Sequence, residues 1–581
     1  MAFSTHDQVP DSPTNVFAVL NSLNKITVNG AISISNGNLY VAYEASANGA
    51  SFAVSSIKLP ESGLWYFEAT KTSGTYYGVG LHDGTMNNSY INTISWNDTS
   101  NGIIGILADM NTNTIYSYVN GSIVSSETAS IPNDLRYFSI GVWSSGGVGR
   151  GKCFANFGQD PTFGGNKSPS STYTDANGIG SFYYQPPTGA KALCTANLAD
   201  PDIDPAVDDL PEDYMKSVTY SGGSQSITVG FRPDLVWVKN RGSTFSHILS
   251  DSVRGDGNFL TTNGTGAEES DSSKFNQFES NGFSVGSHSG VSSSSQIAWC
   301  FRAGGSPSGS TSTTGSAKRI NTSGTQDDTS CSALATAASA TITPTLMSIN
   351  QKAGFSIIKY GGSSASSSTV PHGLGKAPEM IIIKNLDSSD QWVVYHKSVA
   401  SDAETDYLVL DTTAAAVDNA TVWNDTAPTT QVFSIGQGGS VSESNENYIA
   451  YCWHSVAGFS AFGSYTGNGS ADGPFVYTGF KPALIWIKCT SDSTITHTSW
   501  SIYDNAREPN NEMNKPLYAN QSAPEGERGN GTTDATDIKI DFLSNGFRIL
   551  TDKEELNDDG ETYIFCCWAE MPSKYAATNA R

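Results

Sequence analysis

Basic residues are scarce in this chain: 32 Lys and Arg stand against 56 Asp and Glu, a formal net charge of −24. Phosphate affinity rests on neutralisation by Lys and Arg, so this balance argues against nucleic acid as a partner. We read the acidity as a solubility feature. Leu and Glu are also few beside Gly, Ser, Thr, Asn, Tyr and Trp, which favours strands and turns over helices. No run of 18 apolar residues occurs, so neither a transmembrane helix nor membrane insertion is expected. The start, MAFSTHDQVPDSPTN, has no basic patch followed by an apolar run, and we expect no signal peptide. No C-x-x-C pair occurs among Cys153, Cys194, Cys300, Cys331, Cys452, Cys489, Cys566 and Cys567. Most lie in apolar strand-like runs, so they read as core thiols of a protein made in a reducing cytoplasm.

Catalytic signatures are missing too. Gly146-x4-Gly151-Lys152 imitates a phosphate loop, but Cys153 stands where Ser or Thr is needed, and a strand follows instead of a helix. GVGLHDG (78–84) has its third glycine one place too far for a dinucleotide fingerprint. No G-x-S-x-G elbow and no H-E-x-x-H spacing occurs. EELNDDGE (554–561) and the acidic ADPDIDPAVDDLPEDY (199–214) lack the fixed order of a calcium loop and read as a turn and a linker. We expect no catalytic residues, no cofactor and no metal. Carboxylates are abundant, so a glycosidase pair stays open as an alternative.

What is present is repetition. GFRPDLVWVKN (230–240), GKAPEMIIIKN (375–385) and GFKPALIWIKC (479–489) share a Gly, a basic residue, a Pro and an apolar run closed by Lys239, Lys384 or Lys488. Each is followed by a second strand (SNGFSVG, VFSIGQ, SNGFRIL) and a third (IAWCFRAG, IAYCWHSV, YIFCCWAE). The lysines precede Cys300, Cys452 and Cys566 by 61, 68 and 78 residues. Order and spacing agree, so this is an internal repeat of small β-sandwiches. The prolines mark strand starts, since they cannot donate to a ladder. The runs read as buried strands and the lysines as their solvated ends. Three copies suit display or binding better than catalysis, and either lengthen an appendage or supply edges for packing.

The N-terminal part is different. LWYFEAT (64–70), YYGVGL (76–81), NGIIGILADM (101–110), IYSYVNG (115–121), YFSIGVW (137–143) and CFANFGQDPTF (153–163) read as strands, with a hairpin at Val119-Asn120-Gly121. Trp65-Tyr66-Phe67-Glu68, Gly78-Val79-Gly80, Asp109, Tyr118-x-Asn120-Gly121, Gly141-Val142-Trp143 and Asn156-Phe157-Gly158 carry a resemblance to the SPRY domain over residues 14–165. That resemblance implies a concanavalin-like sandwich that binds a partner and carries no catalytic residues.

The expected fold is all-β: tandem β-sandwich modules, a SPRY-like jelly-roll sandwich followed by three related small repeats. The organisation read from sequence is an N-terminal segment 1–13, the sandwich 14–165, a linker 166–214 and repeat 1 at 215–305. A low-complexity linker 306–352 follows, then repeat 2 at 353–458, repeat 3 at 459–571 and a tail 572–581. The stretch 330–354 holds the one expected helical turn.

GSFYYQPPTGAKALCTANLADPDID (180–204), DSPTNVFAVLN (11–21) and the three repeats together resemble virion proteins of tailed marine phages, particularly tail fibres or spikes. The resemblance implies a structural virion protein located in the tail or an appendage, made in the host cytoplasm. It implies other tail proteins as partners, a homo-oligomer with a trimer favoured, and contact with a host-surface glycan or protein. A capsid decoration protein or purely structural tail component, a polysaccharide depolymerase and a cellular SPRY adaptor are the alternatives. Tyr76, Tyr77, Trp96, Asn97, Trp423 and Asn424 lie beside turns, where an aromatic face stacks on a sugar and an amide bonds its hydroxyls. They are the candidate contact residues. Trp65, Trp143, Trp237, Trp299 and Trp486 lie within strand runs and read as core.

Overall fold

The computed structural model describes residues 15–575, apart from 75–76, 85–89, 96–101, 130–135, 144–148, 294, 312, 492–497 and 528–535. The described residues are strands joined by turns, with a few helices of one or two turns. They fall into two compact units, one ending at Asp200 and one running Pro201–Pro572.

In the first unit eleven strands form one sheet, nine of them in a continuous hydrogen-bonded order and two paired to its members off that path. The long strands Leu20–Ser35 and Tyr40–Ser55 pair antiparallel with a register shift between Val28 and Gly30. Tyr40–Ser55 then pairs with Gly149–Asn156 through one half and Tyr137–Trp143 through the other, so the sheet curls around its own core. Val41, Phe67, Ile106, Phe138 and Phe157 fill that core. The Asn120-Gly121 hairpin joins Thr114–Val119 to Ser122–Thr128 with positive φ at both residues, as a two-residue turn matched to strand twist requires. Residues 166–200, expected as linker, instead fold into this unit. Tyr173 bridges Phe182, Lys191–Ala192 runs parallel to Trp65–Tyr66, and Phe182 and Cys194 are fully buried. The aromatic and alanine residues of this stretch bury enough apolar surface to hold it in place.

In the second unit each repeat builds a sheet of the same topology. Its strands are Met215–Tyr220, Leu235–Asn240, Ile248–Asp251 and Gln296–Phe301 in module 1. Module 2 uses Phe355–Gly361, Met380–Asn385, Val393–His396 and Asn447–Trp453. Module 3 uses Ser460–Thr466, Phe480–Cys489, Ser501–Asp504 and Thr562–Pro572. In spatial order each sheet runs first, fourth, second, third. The registers superpose: Lys239, Lys384 and Lys488 stand opposite Ile297, Ile449 and Ile564. Val236, Ile381 and Ile485 stand opposite Cys300, Cys452 and Cys567. The third cysteine equivalent is therefore Cys567 rather than Cys566.

Both faces of these sheets are covered, which is why the runs read as continuous apolar segments. On one face, alternate residues close each module's own sandwich: Val236, Val238, Phe283 and Cys300 in module 1, and Ile485, Ile487, Phe547 and Cys567 in module 3. The opposite faces of all three modules meet in one shared core containing Trp237, Trp299, Phe301, Trp453, Trp486 and Trp568. Phe301, Trp453 and Trp568 occupy equivalent positions on the fourth strands. Their ring centroids lie 6.1, 5.1 and 6.3 Å apart, all edge to face. This triangle marks a pseudo-threefold axis. The repeats are not spacers laid end to end; they surround a common centre.

Residues 306–352, expected as a low-complexity linker, also join this unit. Ser316–Ile320 runs parallel to Leu346–Asn350, which pairs with Phe355–Gly361 and widens the module 2 sheet. The helix Cys331–Ala337 lies between them. Among the described residues it is joined by four single-turn α-helices, including Ser289–Ser292, Gly439–Ser442 and Glu554–Asn557, one before each fourth strand.

Truncating one corner of the triangle, Trp568→Ala, is expected to cost about 3–5 kcal/mol. Because the core is shared, urea unfolding followed by hydrogen exchange should show one loss of protection spread over all three modules. Loss confined to residues 459–572 would mean that the modules fold independently.

Candidate functional site

The repeated chemistry of the second unit lies at the three junctions between modules. Immediately before each third strand stands a residue whose ring reaches a neighbouring module. Trp392 of module 2 donates through Nε1 to the Thr261 carbonyl of module 1 at 3.2 Å, and Trp500 of module 3 to the Val409 carbonyl of module 2 at 3.0 Å. His247 of module 1 bonds through Nε2 to the Gln521 carbonyl of module 3 at 3.1 Å. The backbone N–H of each is held alike, by Asn263, Asp411 and Asn520 Oδ1 at 2.9, 2.8 and 3.1 Å. Module 1 thus reaches 3, 3 reaches 2 and 2 reaches 1, so the interaction is head-to-tail and closes.

A second set of contacts runs through the strand ends. Tyr451 Oη of module 2 donates to Asp251 Oδ2 of module 1 at 2.7 Å, and Trp299 Nε1 of module 1 to Asp504 Oδ2 of module 3 at 3.0 Å. Each aspartate also holds the guanidinium three residues on: Arg254 Nε to Asp251 at 2.5 Å, and Arg507 Nε to Asp504 at 2.6 Å, with all four side chains fully buried. The arginines extend to Glu268 at 3.5 Å and Glu525 at 3.3 Å. The backbone N–H groups of these glutamates cross the junction to the Leu386 and Arg241 carbonyls, both at 2.9 Å. Buried charges are tolerated when they are paired and hydrogen-bonded in this way.

Module 2 departs from the pattern at every position of this network. His396, Val399 and Ala416 replace Asp, Arg and Glu. The backbone bond survives, from Ala416 N to the Thr490 carbonyl at 2.9 Å, and His396 Nε2 meets the Phe565 carbonyl of module 3 at 3.3 Å. Burial lowers the His396 pKa to about 3, so the imidazole is neutral. A cleft of 670 Å³ opens at this junction, and Val399 and Ala416 both line it.

The three repeat lysines, expected at solvated strand ends, are completely buried. They share the face of Trp237, Ile382 and Trp486, which period-two alternation turns toward the common core. Each ammonium turns back to the carbonyl of the next residue, Asn240, Asn385 or Cys489, at 2.6, 2.7 and 2.6 Å. A second carbonyl lies at 3.4 Å (Ser243), 3.4 Å (Ser388) or 3.2 Å (Thr413). Burial lowers each pKa to about 8. The missed signal was the register: a lysine in phase with core tryptophans lies on the core face.

Of the candidate contact residues, Trp423 is contradicted by the structure as a sugar platform. It is 2% exposed, in the shared core, and meets Tyr395 edge to face at 5.8 Å. Apolar burial has claimed both of its ring faces. Asn424 caps the helix Ala420–Trp423 in the left-handed conformation and donates to Ser367 Oγ at 3.2 Å. Tyr76, Trp96 and Asn97 lie outside the described residues. Tyr77 begins the strand Tyr77–His82, pairing with Val142, and its side chain is likewise outside the described set. Among the described residues, Trp423 and Asn424 therefore form no exposed sugar platform. Trp65, Trp237, Trp299 and Trp486 are buried, as expected for core positions. All eight cysteines are buried and none is in a disulfide. Among the described residues no group of three His, Cys, Asp or Glu is placed to hold a metal, and no helix is long and apolar enough to cross a membrane.

In the first unit a buried carboxyl network centres on Glu68. It accepts the backbone N–H groups of Tyr183 and Tyr184, both at 2.8 Å, and Asn156 Nδ2 at 3.2 Å. It therefore fastens the 166–200 segment to the sheet. Burial raises its pKa from 4.5 to about 7, against the lowering effect of these donors.

Two pH dependences follow. The lysines bind fewer protons folded than unfolded between about pH 8 and 10.5, so the second unit gains stability as pH rises into that window. We expect roughly 1–2 kcal/mol per lysine between pH 8 and 9.5, measured by urea unfolding; the triple Lys239→Met, Lys384→Met, Lys488→Met variant should lose the rise. Glu68 acts with the opposite sign. It binds more protons folded than unfolded between about pH 4.5 and 7, so its contribution to the first unit declines as pH rises through that range. Thermal melts of Glu68→Gln should lack this decline.

Comparison with known proteins adds the following. No curated protein matches the sequence. Among solved structures, the SPRY domain of human HERC1 is similar at 11% identity and a TM-score of 0.18, over 22% of this chain and 93% of that one. A human SPRY domain is similar at 15% identity and a TM-score of 0.17, over 22% of this chain and 95% of that one. The alginate lyase AlgAT5 from Polysaccharide Lyase family 7 is similar at 11% identity and a TM-score of 0.15, over 22% of this chain and 81% of that one. At these scores no functional argument rests on the three similarities. A family model does match, over residues 210–330 and 328–572, which include all three modules and more than half of the sequence. The chain therefore belongs to the family described as Domain of unknown function (DUF7483).

Proposed function

We propose that this chain is a non-catalytic structural protein of a phage virion, a tail fibre, spike or related appendage that contacts the host surface. One observation carries the structural part of this reading. The chain's repeated surfaces are used up in a shared core and three closing junctions, which suits a rigid block that carries another binding element. The SPRY-like sequence features of residues 14–165 supply a candidate for that element, with a host glycan or surface protein as its ligand. The threefold arrangement lies within one chain, so the block needs no partner copies to complete it; a homotrimer would be an additional level of assembly. Other tail proteins are the proposed neighbours.

Immunogold labelling of the source virion with antibody against this chain tests the reading. Gold at the tail or its appendages is the expected result. Gold over the capsid would favour a decoration protein, and no label on any particle would overturn the virion reading. In cell-binding assays with purified chain, Trp96→Ala is expected to weaken attachment about tenfold, near 1.4 kcal/mol. Unchanged attachment would remove Trp96 from the contact surface.

A further inference from the structure

We infer that the cleft at the junction of modules 2 and 3 is a binding site for a short neutral saccharide. The argument begins with what fills the same place elsewhere. In modules 1 and 3 an Arg–Glu pair occupies the junction, as Arg254 with Glu268 and Arg507 with Glu525. In module 2 both partners are replaced by small apolar residues, Val399 and Ala416, while the backbone bond beside them is kept. The aspartate that would hold the guanidinium is also replaced, by His396. Losing one member of a buried ion pair leaves an unpaired charge and costs several kcal/mol. Losing all three charges together avoids that cost and leaves space. The cleft occupies 670 Å³, within the roughly 300–1,000 Å³ of small-ligand sites.

The lining states the chemistry. Val399 and Ala416 share the lining with Ser464, Thr490, Ser491 and Thr562. Thr490 Oγ1 donates to the Thr562 carbonyl at 3.3 Å, and Ser491 Oγ is held by Glu561 and the Thr562 N–H, which leaves the Ser464 and Thr562 hydroxyls to meet a ligand; such a hydroxyl both donates and accepts, which matches the hydroxyls of a sugar. The lining has one cation, Lys397, held by Glu379 at 3.0 Å, and one carboxylate, Asp406. Neither sign dominates, and a guanidinium finds none of the carboxylates that hold it in modules 1 and 3. The two small apolar side chains suit the C–H face of a pyranose. From the proposed function this inference takes only the premise that carbohydrate is the ligand class. All of its lining residues belong to the second unit.

The test uses the full chain and a panel of neutral disaccharides (maltose, cellobiose, lactose) in saturation-transfer NMR with competition. We expect at least one to bind, and glucuronate- and glucosamine-containing analogues to bind at least tenfold more weakly. The double variant Val399→Arg with Ala416→Glu rebuilds the pair of the sister modules and fills the cleft. It should abolish binding while leaving the thermal transition unchanged or higher. Ser464→Trp, at an exposed rim position, should weaken binding at least tenfold and serves if the double variant misfolds. No binding across the panel, equal binding of charged analogues, or binding that survives both variants would overturn the inference. Binding that survives both variants but is lost in Trp96→Ala would leave carbohydrate recognition standing and remove it from this cleft. Tail labelling without disaccharide binding would leave the virion reading standing and remove the cleft.

Discussion

The second unit depends on the meeting of three rings. Phe301, Trp453 and Trp568 end equivalent strands, and they pack edge to face around one axis. Each ring is held by a sheet whose other face is closed by that module's own sandwich or its extension. Edge-to-face pairs add about 0.5–1.5 kcal/mol each beyond their burial, and here each module supplies one corner. A module taken alone would expose its tryptophan row to water. The third copy is therefore not a surplus: two modules would leave the triangle, and the head-to-tail contacts around it, open.

Closure places unusual electrostatics in the interior. Two Asp–Arg pairs, three lysine ammonium groups and several imidazoles lie where water does not reach. Each charge survives because carbonyls and carboxylates of its own module are aimed at it, joined across the junctions by the Tyr451 and Trp299 donors and the Thr413 carbonyl. These contacts are directional, so they set which module meets which and in what register, while the aromatic centre supplies non-directional attraction. The module 2 junction shows that the directional part can be relaxed once without breaking the ring. His396 keeps a bond across the junction as a neutral group, and the backbone bond of Ala416 keeps the spacing. The structure is thus threefold in its frame and single in its cleft.

Much of the frame was legible. The repeated Pro-led runs, their lysines and the cysteine-bearing strands marked three copies of one sheet, and their order matches the observed topology. The Asn-Gly hairpin was readable because few dipeptides accept positive φ twice. The errors share a physical source. Gly, Ser, Thr and Ala stretches such as 166–200 and 306–352 were read as linkers from composition, yet a few buried aromatics, alanines and paired strands suffice to dock them. Trp423 stood beside a turn and was read as exposed, but a single helical turn carries it into the core. The lysines were read by residue type rather than by their phase. The junction network had a sequence trace that went unused: Asp251-x-x-Arg254 and Asp504-x-x-Arg507 occupy equivalent positions, and His396-x-x-Val399 breaks the pattern between them.

The sequence by itself determined the β class, the number of modules and the order of the main strands within each. Those features follow from side-chain alternation and turn chemistry, which act over a few residues. Only the tertiary structure decided that the modules close on one another, that the lysines are interior and that one junction lacks its ion pair and holds a cleft. These depend on contacts between residues far apart in the chain, such as Trp299 with Asp504 and Tyr451 with Asp251. Their partners are chosen by how whole faces pack, and no local pattern encodes which face meets which.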